Sequence, residues 1–432
     1  MNEGADHHSV YRKIVNLSFF IYLFFVFFGT SLPFRPPVEN VDQKGTSNIV
    51  NQVVFSSLFL IGIVPLWVRR KDVAGLLKYE KWLTLFLLWC FITLLWSDYR
   101  FTSFKRLFQI YTTVVICLNA LLWNDSSRDI IGSLRTIIYL YVSLSILSVV
   151  FIPGAIDPKS LTWRAMAMSK NHLGQAALIC TLVLIIDISG NNFKRQCING
   201  IMLIFSLMLI FGSNSLTSIL TLFFITILWI VLRMDERFRT LGIGHLYLFL
   251  TAFTALAIAL VMAQFPEEIE AFLKFFGKDL TLTGRTRLWA AVFQESRHHL
   301  LLGTGFAAFW VVSNPAVLDI YSDFLWLPNQ AHFGYLDILN ETGLIGFILF
   351  SLMVFVYLKN LIQFRATHQL SWCFLSVLII NFQETTFFRP NVMTGVILIL
   401  SYLTLYHDLR NLELPTSAFN PDPDLIFKNR IN

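Results

Sequence analysis

The chain has 432 residues, 56% hydrophobic and only 14% charged, with 42 phenylalanines and a formal net charge of +6. A soluble globular domain carries about 25% charged residues, so this chain cannot cover its surface with polar groups, and lipid is the natural solvent for most of it. The positive balance is not a nucleic-acid signal, because the basic residues are scattered through short loops with no basic stripe or aromatic platform. The five cysteines lie in or beside apolar stretches, against a disulfide framework or a cysteine zinc site.

Taken in order, the apolar runs predict about twelve spans, near 14–30, 50–68, 82–96, 104–122, 130–152, 172–189, 198–212, 215–233, 243–264, 338–358, 371–388 and 392–408. The first follows Arg12-Lys13 without a small-residue cleavage pattern and reads as a span, not a cleaved signal. Basic residues concentrate on alternate short loops, such as Arg69-Arg70-Lys71 and Lys194-Arg195, which predicts that both termini are cytoplasmic. The expected architecture is one all-α polytopic membrane domain over residues 1–432. An extracytoplasmic loop region at 265–331 joins spans nine and ten, and 412–432 forms a cytoplasmic tail. No repeat of transporter type is visible.

Three outer-face stretches could carry chemistry. Between spans five and six, Arg164 and Lys170 place positive charge against the topological bias, either to anchor headgroups or to bind an anionic substrate. In the long loop, Thr283 is a candidate N-cap for a helix running to about His299. Arg285 then shares a face with Leu288, Trp289 and Val292, while Arg287 points about 200° away. Arg285 is the preferred anion ligand, since guanidinium and helix dipole act together there; an ordinary solvated helix is the plainer alternative. His332 suits proton transfer near neutrality, although a lone histidine near a helix start is more often structural. Gly343 and Gly346 read as close-packing positions, and Glu384 with Arg389 as an outer-face ion pair. There is no Walker loop, His-Glu-x-x-His or Gly-x-Ser-x-Gly. His298-His299 with Glu295 is a weak metal signal, because adjacent histidines point to different sides of a helix.

At these residues the chain resembles the O-antigen ligase and exopolysaccharide polymerase superfamily. The matching elements, in the family's order, are Trp96-Ser97-Asp98-Tyr99 with Lys105-Arg106; Trp163-Arg164 through Lys170-Asn171-His172-Leu173-Gly174; Gly212-Ser213-Asn214-Ser215; Gly284-Arg285-Thr286-Arg287-Leu288-Trp289 with Leu302-Gly303-Thr304-Gly305; and Ala331-His332 through Gly346. Phe333 stands where the family usually has Asn, and Ala165 and Ser169 where Gly and His are common. The resemblance implies a C-type glycosyltransferase fold in the bacterial inner membrane, its active site facing the periplasm, working without metal, nucleotide sugar or other cofactor. It implies an undecaprenyl-diphosphate-linked glycan as donor and a glycan or the lipid A core as acceptor, with a chain-length regulator as a further candidate partner beside the membrane lipids. By matching position, Arg164 and Arg285 would contact the diphosphate and His332 would act near the acceptor. Arg287 and Lys170 are further candidate diphosphate ligands, His332 and Arg285 are the catalytic candidates, and Glu384 and Arg389 are secondary candidates. Polymerisation of repeat units is preferred over ligation to lipid A core. A polysaccharide flippase is the alternative of another class, but it would want charged groups along a path through the spans.

Overall fold

The computed structural model describes residues 3–28, 49–124, 127–188, 192–240, 285–324, 327–363 and 370–413. These form α1 (Glu3–Phe28), α2 (Ile49–Val68), α3 (Arg70–Tyr79), α4 (Trp82–Ile92), α5 (Arg100–Trp123), α6 (Ser127–Phe151), α7 (Lys170–Ile188), α8 (Phe193–Ser213), α9 (Leu216–Thr240), α10 (Arg285–Ser296), α11 (Pro315–Ser322), α12 (Gly334–Gln363), α13 (Ser371–Ile380) and α14 (Met393–Glu413). Among the described residues the only β-type pairing is an isolated bridge between Ile156 and Trp163.

Seven of these helices are long and apolar enough to cross a membrane: α1, α2, α5, α6, α7, α8 and α12. Residues such as Leu60, Trp67, Phe151 and Phe193 remain exposed on them, as expected for faces solvated by lipid rather than water. The expected spans at 82–96, 215–233 and 371–388 are instead shorter apolar helices, Trp82–Leu95, Leu216–Ile230 and Ser371–Ile380. The span expected at 243–264, the proposed cap Thr283, the beginning of the 265–331 loop and the tail beyond 413 lie outside the described residues.

The stretch expected as a continuous span over 371–388 stops at Ile380 for an identifiable reason. Asn381 accepts from the backbone N–H groups of Thr386 and Phe387 through Oδ1 and donates from Nδ2 to the Val377 carbonyl and the Thr386 hydroxyl. A non-helical segment surrounded by protein is viable only when its polar groups are satisfied in this way. The segment between α13 and α14 is therefore a structured loop, and it carries Glu384 and Arg389.

The centre of the bundle is α14. From Val396 to Leu409 its apolar side chains are buried on all sides, against α13, α5, α7 and α3. A helix that is apolar all round belongs in an interior. Tyr402 adds a polar anchor by donating to Glu80 at 2.9 Å.

A second organising feature is a break inside α12. Gly343 has φ 67° and ψ −175°, a conformation essentially reserved for glycine. A Cβ there would overlap the Leu301 carbonyl. The break lets the backbone of 300–305 pair with 340–345: Leu344 N–H donates to the Leu300 carbonyl at 2.8 Å, and Gly305 N–H donates to that of Glu341 at 3.0 Å. Trp89 and Trp96 cap the junction by donating to the carbonyls of Thr342 and Gly303. The Leu-Gly-x-Gly and Glu-x-Gly-x-x-Gly elements are thus two sides of one joint.

Candidate functional site

Four separated pieces of chain are held around one carboxylate. The first is the start of α7. The loop before it is fixed by Trp163, whose N–H donates to the Gly212 carbonyl at 2.8 Å and whose ring occupies the space a Cβ of Gly212 would fill. The second piece is the start of α10, seated by the buried side chains of Leu288 and Val292 against Phe309, Trp310 and Ile320. The third is 330–332, held by Trp289 donating to the Ala331 carbonyl and by Ala331 N–H donating to Asp337. The fourth is the loop after α13, tied to the start of α12 where Gly334 N–H donates to the carbonyls of Asn381 and Glu384.

At the junction, Glu384 is 4% exposed and takes four donors. Asn171 Nδ2 and an Arg285 guanidinium nitrogen lie 2.8 and 3.0 Å from Oε1. Gln330 Nε2 and His332 Nδ1 lie 3.1 and 3.0 Å from Oε2. Arg285 also donates to the Gln383 carbonyl. Burial by itself would raise the Glu384 pKa. The His332 hydrogen bond and charge, followed by the Arg285 charge, outweigh burial and pull it from 4.5 down to about 2. Glu384 is therefore an anion, and an anion is the stronger acceptor. An anion accepts, so Nδ1–H of His332 donates to Glu384 and the 3.0 Å approach of Gln330 Nε2 to Nδ1 is a packing contact; in the neutral imidazole the lone pair is then on Nε2. His332 adopts φ 52°, a left-handed backbone uncommon outside glycine and characteristic of functional positions.

Glu384, Gln330 and His172 line a cavity of about 780 Å³ whose wall also includes Lys105, Arg106 and Arg389. Phe55, Phe101, Phe104 and Phe108 line it as well, so the chamber joins basic groups to aromatic surface. A smaller apolar cavity of about 190 Å³, bounded by Val26, Phe27 and Tyr141, shares Met168, His172 and Gln175 with it. Gln175 Oε1 and Asn391 Oδ1, on the walls of both cavities, are buried acceptors with no hydrogen-bond partner among the described residues. Such atoms suit a ligand that brings hydroxyl donors.

Of the residues expected from the sequence, Arg285, His332 and Glu384 come together. The α10 face is as expected: Arg285 and Leu288 are buried and Arg287 is exposed. Arg287 sits 4.0 Å from Asp323 and over the ring of Phe324, outside the cluster. Arg164 donates to the Gly154 carbonyl at 3.1 Å within its own loop, and Lys170 precedes Asn171 on α7 without contacting Glu384. The expected Glu384–Arg389 pair is not formed. Arg389 is bound to Glu341 at 3.1 Å, because the loop turns between the two residues and Glu384 is already saturated by the other donors. Sequence reasoning misses Asn171, Gln330, Lys105 and Arg106 as site residues, although Asn171 and Lys105-Arg106 lie within the matched elements. Phe333, where the family usually has Asn, packs on Trp289 and Tyr335, with ring centroids 5.3 and 5.7 Å apart.

A family model described as O-antigen ligase matches residues 201–351, which include Arg285 and His332. The chain is also 26% identical over 330 residues to the exopolysaccharide production protein ExoQ of Rhizobium meliloti (strain 1021), covering 72% of this chain and 73% of that protein.

Proposed function

We propose that this chain, which resembles the O-antigen ligase and polysaccharide polymerase superfamily, is a membrane glycosyltransferase that elongates an exopolysaccharide from undecaprenyl-diphosphate-linked repeat units. The observation that carries the reading is the joining of Arg285 and His332 through Glu384 at the rim of a chamber that is both basic and aromatic. An isoprenoid diphosphate has that dual character. Its diphosphate fits beside Lys105, Arg106 and Arg389, and its hydrocarbon fits against the phenylalanines and the adjoining apolar cavity.

The chemistry follows from the cluster. The bond that breaks joins the anomeric carbon to the diphosphate oxygen, and negative charge grows on that oxygen. Guanidinium groups aimed there stabilise the transition state more than the ground state. The bond that forms joins the same carbon to the acceptor hydroxyl oxygen, on the opposite face, so the configuration inverts. The hydroxyl proton passes to His332 Nε2, whose lone pair is kept available by the Nδ1–H bond to Glu384. Arg164, Lys170 and Arg287 are then accessory to donor approach from the outer face, with the site opening to the periplasm.

A second reading, transfer of finished polymer to the lipid A core, is favoured by the description of the family model; the named relative favours exopolysaccharide. The deciding experiment is to delete the gene and size the glycan on undecaprenyl diphosphate. Single repeat units accumulate if the protein polymerises. Long lipid-linked chains with bare surface lipopolysaccharide would mean a ligase, and loss of lipid-linked glycan from the outer face would overturn the transferase reading.

A further inference from the structure

A second polar cavity, of about 660 Å³, lies at the other end of α7 from the Glu384 cluster. Its wall carries Arg12 of α1, Arg128 and Arg135 of α6 and Arg195 of α8, together with Asp129 and Asp187. Asn171, which touches Glu384, opens α7, and Asp187 nearly closes it. At 1.5 Å rise per residue the two are roughly 24 Å apart, close to the hydrocarbon thickness of a bilayer. This cavity therefore faces the opposite membrane surface and has no part in the transfer site.

Both carboxylates of the cavity are already matched. Asp187, 8% exposed, receives Arg135 at 3.0 and 3.1 Å and Asn199 at 2.9 Å; Tyr139 braces Asn199 by donating to its Oδ1. Arg12 reaches Asp129 at 3.3 Å. Four guanidiniums against two carboxylates leave a surplus of two positive charges. Arg128 and Arg195 stand in the first turns of α6 and α8, where the helix dipoles add to the attraction for an anion. The carboxylate pairing fixes Arg135 as scaffold, and Arg128 and Arg195 are exposed residues of the cavity wall. Exposed Leu17 and Ile21 on α1, Ile185 on α7 and Phe193 on α8 continue the same region with apolar surface.

We propose that this cavity is a binding site for the headgroup of an anionic phospholipid, with a doubly charged headgroup of the cardiolipin type matching it best. Phosphodiester oxygens are the acceptors that guanidinium forks take in pairs, and basic pockets between spans are suited to such headgroups. Bound there, the lipid would hold α1, α6, α7 and α8 together at the end remote from the transfer site.

The test uses the full chain in neutral detergent micelles, titrated with cardiolipin, with phosphatidylcholine or with millimolar sodium phosphate, and read by native mass spectrometry and thermal unfolding. The wild type should retain cardiolipin through the spectrometer and unfold at a higher temperature with it, and respond to neither phosphatidylcholine nor phosphate. Arg128→Ala with Arg195→Ala should bind cardiolipin about thirtyfold more weakly, the combined worth of two basic side chains at an anionic lipid surface. The Arg128→Lys, Arg195→Lys chain, which keeps the charge, should recover a large part of the binding. An equal response to free phosphate would overturn the lipid assignment in favour of a soluble anion. Unchanged cardiolipin retention in the double alanine chain, with its fold intact by circular dichroism, would overturn the site.

Discussion

Replacing Glu384 with Gln removes one negative charge and almost no volume. The amide keeps one oxygen, so at most one of the two edges that now receive Asn171 with Arg285 and Gln330 with His332 stays satisfied. The side chains of Arg285 and Glu384 are 10% and 6% exposed, so the guanidinium loses a counter-ion where water does not replace it. Breaking such a buried pair costs about 3–5 kcal/mol. The kinetic loss is separate: a positioned general base contributes about 10²–10⁴-fold, and His332 without its carboxylate no longer has a fixed Nδ1 proton. Chain extension by membrane vesicles supplied with lipid-linked repeat unit, resolved as a ladder on a gel, should fall by at least about 100-fold, mainly in kcat. The pH dependence of stability tests the ionised carboxylate itself. The Glu384 pKa is lowered in the folded protein, so its contribution to stability is complete above about pH 4.5 and disappears as the pH falls toward about 2. The wild type should lose more thermal stability across that window than the Gln variant does. A variant that extends chains at the wild-type rate would refute the central role given to Glu384.

Arg285→Ala should abolish product with the protein still inserted, and Arg285→Lys should also fail, because an ammonium cannot serve the Gln383 carbonyl and Glu384 together; Arg287→Ala, exposed on the other side of α10, should stay within about twofold in the same ladder assay. Arg389→Ala strands the buried Glu341 carboxylate and should lower stability by about 3–5 kcal/mol, read as reduced membrane abundance that Glu341→Gln partly restores. Gly343→Ala should be worse tolerated than Gly346→Ala. Backbone strain at φ 67° costs about 1–3 kcal/mol before the overlap with the Leu301 carbonyl is counted, and detergent-solubilised yield would show it.

Local periodicity made part of this site legible. The 3.6-residue period alone separates Arg285 from Arg287, and the structure buries one and exposes the other. The matched elements also proved to be contacts: Trp163 lies on Gly212, and 300–305 joins 340–345. What stayed hidden were pairings between segments far apart in the chain. Glu384 and Arg389 are five residues apart in the sequence and suggest a pair, but Asn381 turns the loop between α13 and α14 so that each carries a different partner. Hydropathy could not show this turn, because Phe387 and Phe388 continue the apolar run past the point where hydrogen bonding ends the helix. The basic wall of the large cavity was equally silent, since Lys105 and Arg106 lie on a spanning helix and meet Arg389 only in the folded bundle.

The enclosed position of α14 also imposes an order of events on biogenesis. Synthesis delivers helices from the N-terminus onward, so α1 to α13 reach the membrane before the helix on which α3, α5, α7 and α13 close. The loop bearing Glu384 directly precedes α14 and is placed by it. Glu384 therefore reaches its four donors only once the bundle is complete.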